Sequence, residues 1–219
     1  MNSVVKNIDC MLGMAEYPDK YFELAIVDPP YGIGRDGYEC GSKPNAKWKN
    51  PIKKVYKKGE WDKAIPDQNY FKELFRVSKN QIIWGGNYFI DNLYPSMGII
   101  AWDKEVNGNF SEFEMAWTSF DVRARIFKWM WNGCRKQEPE TRFHPTQKPV
   151  KLYKWLLDKY AKQGDKILDT HLGSGSSRIA CYDYGFDFTG FELDKDYFDA
   201  QEKRFKDHIS QTNLFKPAI

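Results

Sequence analysis

The segment Lys166-Ile167-Leu168-Asp169-Thr170-His171-Leu172-Gly173-Ser174-Gly175-Ser176 passes from a short apolar run into a glycine turn and then into a helical pattern. Glycines let a ligand approach the backbone closely, and the N-terminus of the following helix offers free N–H donors. The next apolar run, residues 188–191, ends in Glu192, 17 positions after Gly175. An acid at the end of the second strand accepts hydrogen bonds from ribose hydroxyls in Rossmann-like folds. This order predicts a Rossmann-like α/β fold with a site for a nucleoside-containing cofactor.

Short apolar runs alternate with helical patterns along the rest of the chain. Residues 149–161 and 196–208 show helical spacing, and a helix opens at Pro66-Asp67. This alternation is typical of a mostly parallel, doubly wound sheet. Between residues 98 and 131 strand-like runs follow one another over short links, so we expect some antiparallel strands there. The runs that predict buried strands are residues 4–8, 24–27, 81–84, 98–102, 114–118, 166–168 and 188–191.

The composition is that of a globular protein: 219 residues, 42% hydrophobic and 29% charged, with a net charge of +3. A chain of this length predicts one domain with a full core. It has no apolar run near the ~18 residues of a membrane span, and its first nine residues lack an apolar signal core. The four cysteines are widely spaced, with no metal-binding pair among them. We therefore expect a cytoplasmic protein without a membrane segment or a metal site.

The basic residues are concentrated in two stretches. Residues 43–63 hold eight lysines against two acids, and residues 123–142 hold six basic residues against two acids, with aromatic residues interleaved in both. Such a polarised charge suits a polyanion such as nucleic acid, although two solvated loops would give the same pattern. The candidate nucleic-acid contacts are Lys53, Lys54, Lys57, Lys58, Arg123, Arg125, Arg135 and Lys136.

A second motif, Leu24-Ala25-Ile26-Val27-Asp28-Pro29-Pro30-Tyr31-Gly32, is an apolar strand that ends in an acid and two prolines. Proline restricts the backbone, so the carbonyl of Pro29 is held beside the carboxylate of Asp28. Two acceptors and the stacking ring of Tyr31 match an exocyclic amino group on a planar base. Sites in α/β sheets form at the carboxyl ends of strands, which favours a functional motif over a simple turn. The predicted catalytic residues are Asp28, Pro29, Pro30 and Tyr31.

Three motifs together resemble a known family. Asp28-Pro29-Pro30-Tyr31 is followed by His144-Pro145-Thr146-Gln147-Lys148-Pro149 and then by Asp169 with the glycine turn. In this order they are similar to the β-class DNA adenine-N6 methyltransferases, which use S-adenosyl-L-methionine (SAM), and the resemblance covers nearly the whole chain. It implies a circularly permuted methyltransferase fold whose N-terminal strand is the third strand of the SAM half. It also implies methyl transfer to N6 of adenine extruded from double-stranded DNA.

The resemblance further implies which residues bind SAM. Asp9 would bond the adenine ring, Glu192 the ribose, and Thr146 and Lys148 the methionine carboxylate. One departure is His171, which stands where an aromatic side chain of the family commonly packs on the cofactor. The full expected set is Asp9, Cys10, Asp28, Thr146, Lys148, Asp169, His171, Gly173, Ser174, Gly175, Ser176, Glu192 and Leu193.

We expect a single methyltransferase domain over residues 1–219, with a Lys-rich loop at 35–64. A short basic segment at 120–143 stands where the family generally has a larger target-recognition region, which makes a homodimer a reasonable expectation. Cytosine N4 is an alternative target, although Asp rather than Ser at position 28 favours adenine. An RNA adenine methyltransferase and a non-catalytic SAM- or DNA-binding module are further alternatives.

Overall fold

The computed structural model describes residues 1–34, 61–106, 111–131, 136–138 and 140–214. Five of the candidate nucleic-acid contacts, Lys53, Lys54, Lys57, Lys58 and Arg135, lie outside the described residues. Within them, the strands are β1 Ser3–Lys6, β2 Phe22–Val27, β3 Ser78–Trp84, β4 Ile99–Asp103, β5 Phe113–Thr118, β6 Arg125–Lys128, β7 Lys166–Asp169 and β8 Asp187–Phe191. The α-helices are α1 Cys10–Ala15, α2 Gln68–Val77, α3 Val150–Tyr160, α4 Ser176–Tyr184 and α5 Lys195–Leu214.

The described strands form one eight-stranded sheet in the order β1-β8-β7-β2-β3-β5-β4-β6. Strand β5 runs antiparallel to both β3 and β4, and the other neighbouring pairs are parallel. The mostly parallel sheet with some antiparallel pairing is confirmed. The first strand of the chain pairs with the last, so one half of the sheet is assembled from both ends of the chain. This is the circular permutation that the resemblance implies.

The central strand β2 shows why the sheet is covered on both faces. Leu24 and Ile26 point into one apolar cluster, to which α3 and α4 contribute, and Ala25 and Val27 point into the other, to which α1 and α2 contribute. Alternate side chains of a strand face opposite sides of a sheet. A continuous apolar run is therefore buried on both faces, which is the doubly wound arrangement.

Strand β6 lies within residues 98–131, where strand-like runs were expected, and also within the basic segment at 120–143. It pairs in parallel with β4, with Arg125 opposite Ile100 and Lys128 opposite Asp103. Part of the segment expected to recognise the target is thus an edge strand of the sheet. Among the described helices, none is both long and apolar enough to cross a membrane.

Candidate active site

The two sequence motifs meet at one edge of the sheet. Asp28 directly follows β2, and Asp169 ends β7, the parallel neighbour of β2, with Ala25 opposite Leu168. Glu192 directly follows β8, the next parallel strand. The carboxyl ends of parallel strands share an edge, and ligands bind there in open α/β sheets.

Both carboxylate oxygens of Asp28 accept hydrogen bonds. Oδ1 accepts from the hydroxyl of Tyr31 at 2.6 Å, and Oδ2 accepts from the ammonium of Lys148 at 2.5 Å. The side chain of Lys148 is 2% exposed and that of Asp28 17%, so the ion pair is largely shielded from water. Burial raises the pKa of Asp28, and the nearby positive charge of Lys148 opposes that rise.

Glu114, at the start of β5, is a second carboxylate in this group. Its Oε2 lies 3.2 Å from the ammonium of Lys148, and its Oε1 pairs with Lys104. Burial acts to raise the pKa of Glu114, but Lys148 and then Lys104 outweigh it and bring that pKa to about 2. Glu114 is therefore ionised at neutral pH. Sequence reasoning did not single out Glu114 or Lys104, because neither belongs to one of the three motifs.

Tyr31 is held by backbone and ring contacts. The carboxylate of Asp62 accepts hydrogen bonds from the N–H groups of Tyr31 and Gly32, both at 2.9 Å. The ring of Tyr31 stacks on Tyr88, with centroids 4.9 Å apart and planes 15° apart. Gly85 (φ +73°) lies against the ring, since a Cβ there would be 2.2 Å from Tyr31. The Gly85-Gly86 pair directly after β3 is the one sequence signal that could have marked this contact.

A cavity of about 600 Å³ opens in front of Asp28. Its floor holds the charged groups of Asp28, Glu114, Lys104 and Lys148. A cavity of this size with aromatic walls and a few charged groups has the character of a small-molecule or nucleobase site. Its aromatic walls come from Tyr31, Trp61, Tyr88, Trp102, Phe113 and Trp131.

The glycine turn after β7 is held by the two strand-end acids. Glu192 accepts a hydrogen bond from the N–H of Gly173 at 2.7 Å, and burial raises its pKa. Asp169 accepts from the hydroxyl of Ser177 at 2.6 Å and from the N–H of His171 at 3.1 Å. Burial raises the pKa of Asp169 to about 7. Gly173 (φ +52°) lies in the left-handed region, which favours glycine.

His171 is ordered by a short chain of hydroxyls. Its Nδ1 lies 2.9 Å from Oγ1 of Thr170, which lies 2.7 Å from the hydroxyl of Tyr70. The imidazole also packs edge-on against the ring of Tyr70, with centroids 5.4 Å apart. Burial lowers the pKa of His171 to about 4, so the ring is neutral at neutral pH.

Residues 140–148 connect the cavity to the glycine turn. The ring of His144 packs on Tyr197 and Trp61, with centroids 4.3 and 5.2 Å away, and a Cβ on Gly173 would lie 3.6 Å from it. Burial, then the charges of Arg142 and Lys148, lower the pKa of His144 to about 3. The His-Pro-Thr-Gln-Lys-Pro motif therefore contacts both other motifs.

Residues 102–203 match the sequence family described as DNA methylase. The match spans slightly less than half of the chain. The matched range holds the His144 motif, the glycine turn and Glu192, whereas Asp28 precedes it.

Two curated relatives are type II methyltransferases. M2.MboI of Moraxella bovis is 23% identical over 245 residues, which covers 90% of this chain and 85% of that enzyme. M2.DpnII of Streptococcus pneumoniae is 27% identical over 148 residues, covering 67% of this chain and 49% of that enzyme.

Solved methyltransferase structures share the fold. The SAM complex of M1.HpyAVI superposes with a TM-score of 0.56 at 18% identity, covering 92% of this chain and 98% of that one. The cytosine-N4-specific PvuII DNA methyltransferase gives a TM-score of 0.62 at 10% identity, covering 96% and 92%. At these identities the likeness concerns the fold.

Arg204, in α5, was missed by sequence reasoning. Its guanidinium donates to the carbonyl of Ser174 at 2.7 Å and to the hydroxyl of Ser176 at 3.0 Å, and it pairs with Glu140. Ser174 and Ser176 are buried, and their hydroxyls lie 3.1 Å apart. Arg204 thus stabilises the backbone of the glycine turn through a hydrogen bond to a residue 30 positions away in the chain.

The other candidate cofactor residues lie near the ends of β1 and β8 or beside His144. Asp9 caps α1 by accepting from the N–H of Met11 at 2.7 Å, and burial raises the pKa of the next residue, Cys10, to about 12. Leu193 is 68% exposed. The hydroxyl of Thr146 lies 3.1 Å from Nδ1 of His144. Their part in cofactor binding stays a prediction.

The candidate nucleic-acid contacts that the structure describes are not brought together. Arg123 and Arg125 lie at the amino end of β6, with Arg125 opposite Ile100, whereas the cavity lies at the carboxyl end of β4. Lys136 places its ammonium 4.8 Å from the ring centre of Trp131, a wall of the cavity. Their contact with nucleic acid stays a prediction. Within the residues that the structure describes, no cluster of three or more His, Cys, Asp or Glu could hold a metal ion.

Proposed function

We propose that this protein is a DNA methyltransferase that transfers a methyl group from SAM to the N6 amino group of adenine. The observation that carries the proposal is the placement of Asp28, which ends a central strand at the floor of an aromatic-walled cavity, beside the glycine turn of the neighbouring strand. An acceptor in such a cavity suits the amino group of a base that has left the DNA stack. Flipping the base costs a few kcal/mol of unstacking.

The residues around the glycine turn fit SAM, which supplies an electrophilic methyl group when bound. The carboxylate of Glu192 accepts two backbone N–H bonds, from Gly173 and Asp194, and each of its oxygens keeps a lone pair for a ribose hydroxyl. We assign the ribose to Glu192 and the adenine ring to Asp9 and Cys10, with Leu193 alongside. The methionine part is assigned to Thr146, Asp169, His171, Gly173, Ser174, Gly175 and Ser176. The ammonium of Lys148, expected at the methionine carboxylate, is instead paired with Asp28 and Glu114.

In this mechanism the protein orients the adenine amino group and accepts hydrogen bonds from it. The lone pair of an adenine amino group is delocalised into the ring, so the nitrogen is a poor nucleophile. Asp28 and the carbonyl of Pro29 accept its two N–H bonds and draw the nitrogen toward a tetrahedral geometry. Pro30 keeps that carbonyl in place, and Tyr31 supports the base with its ring. Such positioning accounts for most of the acceleration, and the surplus proton leaves the nitrogen after transfer.

Cytosine N4 is the second candidate target. The cytosine-N4-specific PvuII enzyme shares this fold, and both targets are exocyclic amines that present the same two N–H donors. Asp rather than Ser at position 28 favours adenine.

Nucleoside mass spectrometry of unmethylated DNA, incubated with the purified protein and SAM, tests the proposal. We expect N6-methyladenine. Detection of N4-methylcytosine would leave the proposed mechanism in place but show that the target base is cytosine. The absence of any methylated nucleoside, in a preparation that binds SAM, would refute DNA methylation by this chain alone.

Asp28→Ala is the matching variant. We expect it to lower transfer by at least about 10³-fold, because it removes the acceptor for the reacting amino group, while SAM affinity stays within a few-fold. Asp91→Asn, at an exposed position outside the cavity lining, is the control. Normal turnover by Asp28→Ala would rule out the assigned mechanism.

A further inference from the structure

We propose that Glu114 is a positioning residue for methyl transfer, which acts through Lys148 to set how strongly Asp28 accepts a proton. The proposal rests on the proposed function for the reaction itself. It extends the site beyond the three sequence motifs, to a residue on the antiparallel strand β5.

The geometry is a row of four alternating charges. Lys148 lies between the two carboxylates, 2.5 Å from Oδ2 of Asp28 and 3.2 Å from Oε2 of Glu114. Lys104 pairs with the other oxygen of Glu114. Two carboxylates and two ammonium groups sum to zero, which reduces the cost of keeping these charges on partly buried side chains.

Glu114 weakens the attraction between the ammonium of Lys148 and the carboxylate of Asp28. A buried ammonium with Asp28 as its only partner would form a tight pair, and a tightly paired carboxylate is a weaker acceptor for the amino protons of a substrate. Because Lys148 also faces Glu114, its charge is shared. Lys104 holds Glu114 ionised, so the sharing persists at neutral pH.

Other titratable groups also act on Asp28 across the site. Tyr31 from its own loop, Tyr70 from α2 and Tyr153 from α3 all have pKa values raised well above 10, chiefly by burial, and they are neutral. Asp169 from β7 has its pKa raised to about 7 by burial. Asp169 titrates in the wild type and in the variants at positions 114 and 148 alike, so each acid limb is compared with that of the wild type.

The pH dependence of kcat in two variants tests the proposal. In Glu114→Gln the whole charge of Lys148 acts on Asp28, which lowers the pKa of Asp28. The acid limb of kcat should move to lower pH by about 1 unit, and kcat at its plateau should fall about tenfold because the acceptor is weaker. In Lys148→Met the cation is lost, so the acid limb should move to higher pH. KM for SAM should change less than about threefold in Glu114→Gln.

Glu112→Gln is the matched control, since Glu112 is an exposed acid two positions from Glu114 and outside the cavity lining. Its profile should overlay that of the wild type. If Lys148→Met does not fold, the double variant Glu114→Gln/Lys148→Met, which removes one carboxylate with the ammonium, is expected to show a smaller upward movement, because the loss of Glu114 offsets part of the effect of losing Lys148. Active variants whose acid limbs do not move, or move in the same direction, would overturn the role of Glu114. A wild type without transfer would instead refute the proposed function.

Discussion

The ammonium nitrogen of Lys148 lies 2.5 Å from Oδ2 of Asp28, although 120 positions separate the two residues in the chain. The resemblance to DNA methyltransferases implied that Lys148 lies near the methionine carboxylate of SAM. In the structure its ammonium contacts the predicted catalytic carboxylate and Glu114. The charge environment of Asp28 is therefore set by the middle motif, through Lys148, and by Glu114 of β5.

Gly85→Ala tests the packing of Tyr31. A Cβ at Gly85 would lie 2.2 Å from the ring of Tyr31, whereas a Cβ at Gly185 would have no heavy atom within 4 Å. The two glycines have similar backbone angles, with φ of +73° at Gly85 and +76° at Gly185. Both variants should lose about 1 kcal/mol in the free energy of unfolding from backbone strain. Gly85→Ala should also displace Tyr31 and lower transfer at least about tenfold. Equal transfer rates in the two variants would contradict the role assigned to Tyr31.

Arg204→Met tests the support of the glycine turn. The change removes the donor to the carbonyl of Ser174 and leaves Glu140 without its guanidinium partner. We expect the free energy of unfolding in urea to fall by about 2 kcal/mol, since Glu140 keeps some contact with water, and SAM affinity to fall with it. Lys203→Met, at the exposed neighbouring position, should stay within about 0.5 kcal/mol of the wild type. Similar stabilities in both variants would show that Arg204 does not hold the turn.

His171→Asn tests the acid sensitivity of the fold. The pKa of His171 is lowered to about 4 by burial, so between pH 7 and pH 5 the unfolded chain takes up a proton that the folded chain does not. The wild type should therefore lose about 2 kcal/mol more of its unfolding free energy than the variant over this interval. Urea unfolding at pH 7 and pH 5 measures the difference. Parallel losses in both proteins would mean that the imidazole is accessible to protons in the folded state.

The Lys-rich loop is tested by neutralising Lys53, Lys54, Lys57 and Lys58 to glutamine together. If these side chains neutralise phosphates, the slope of log affinity for DNA against log salt should become shallower by about 0.9 for each phosphate that the variant leaves without its lysine. Replacement of Lys203 and Lys206, which are exposed on α5, by glutamine serves as the control. An unchanged slope in the fourfold variant would leave the loop as a solvated surface.

The fold could be predicted from local patterns. The apolar run of β2 is buried on both faces, and the glycine turn after β7 leads into α4 as expected. The six-residue α1 and the four-residue β6 were not predicted as separate elements. Short elements carry too few residues for a period to show, and their formation depends on packing and pairing partners elsewhere in the chain.

The candidate site was only half predictable. Asp28, Asp169 and Glu192 were named because each stands where an apolar strand ends, which is visible in the sequence itself. Glu114 and Arg204 were not named, because each is a single charged residue in an otherwise ordinary element. Their partners lie 34 and 30 positions away, at Lys148 and Ser174.

The sequence by itself determined the strand–turn–helix order, the acids at the strand ends and the order of the three motifs, since all of these follow from the neighbours of each residue along the chain. Only the tertiary structure decided the charge environment of Asp28 and the packing of Tyr31 against Gly85. Those contacts arise when the sheet brings β2, β3 and β5 side by side and the segment ending at Lys148 joins them. Electrostatic and steric interactions depend on distance in space, and the pairing of distant strands sets that distance.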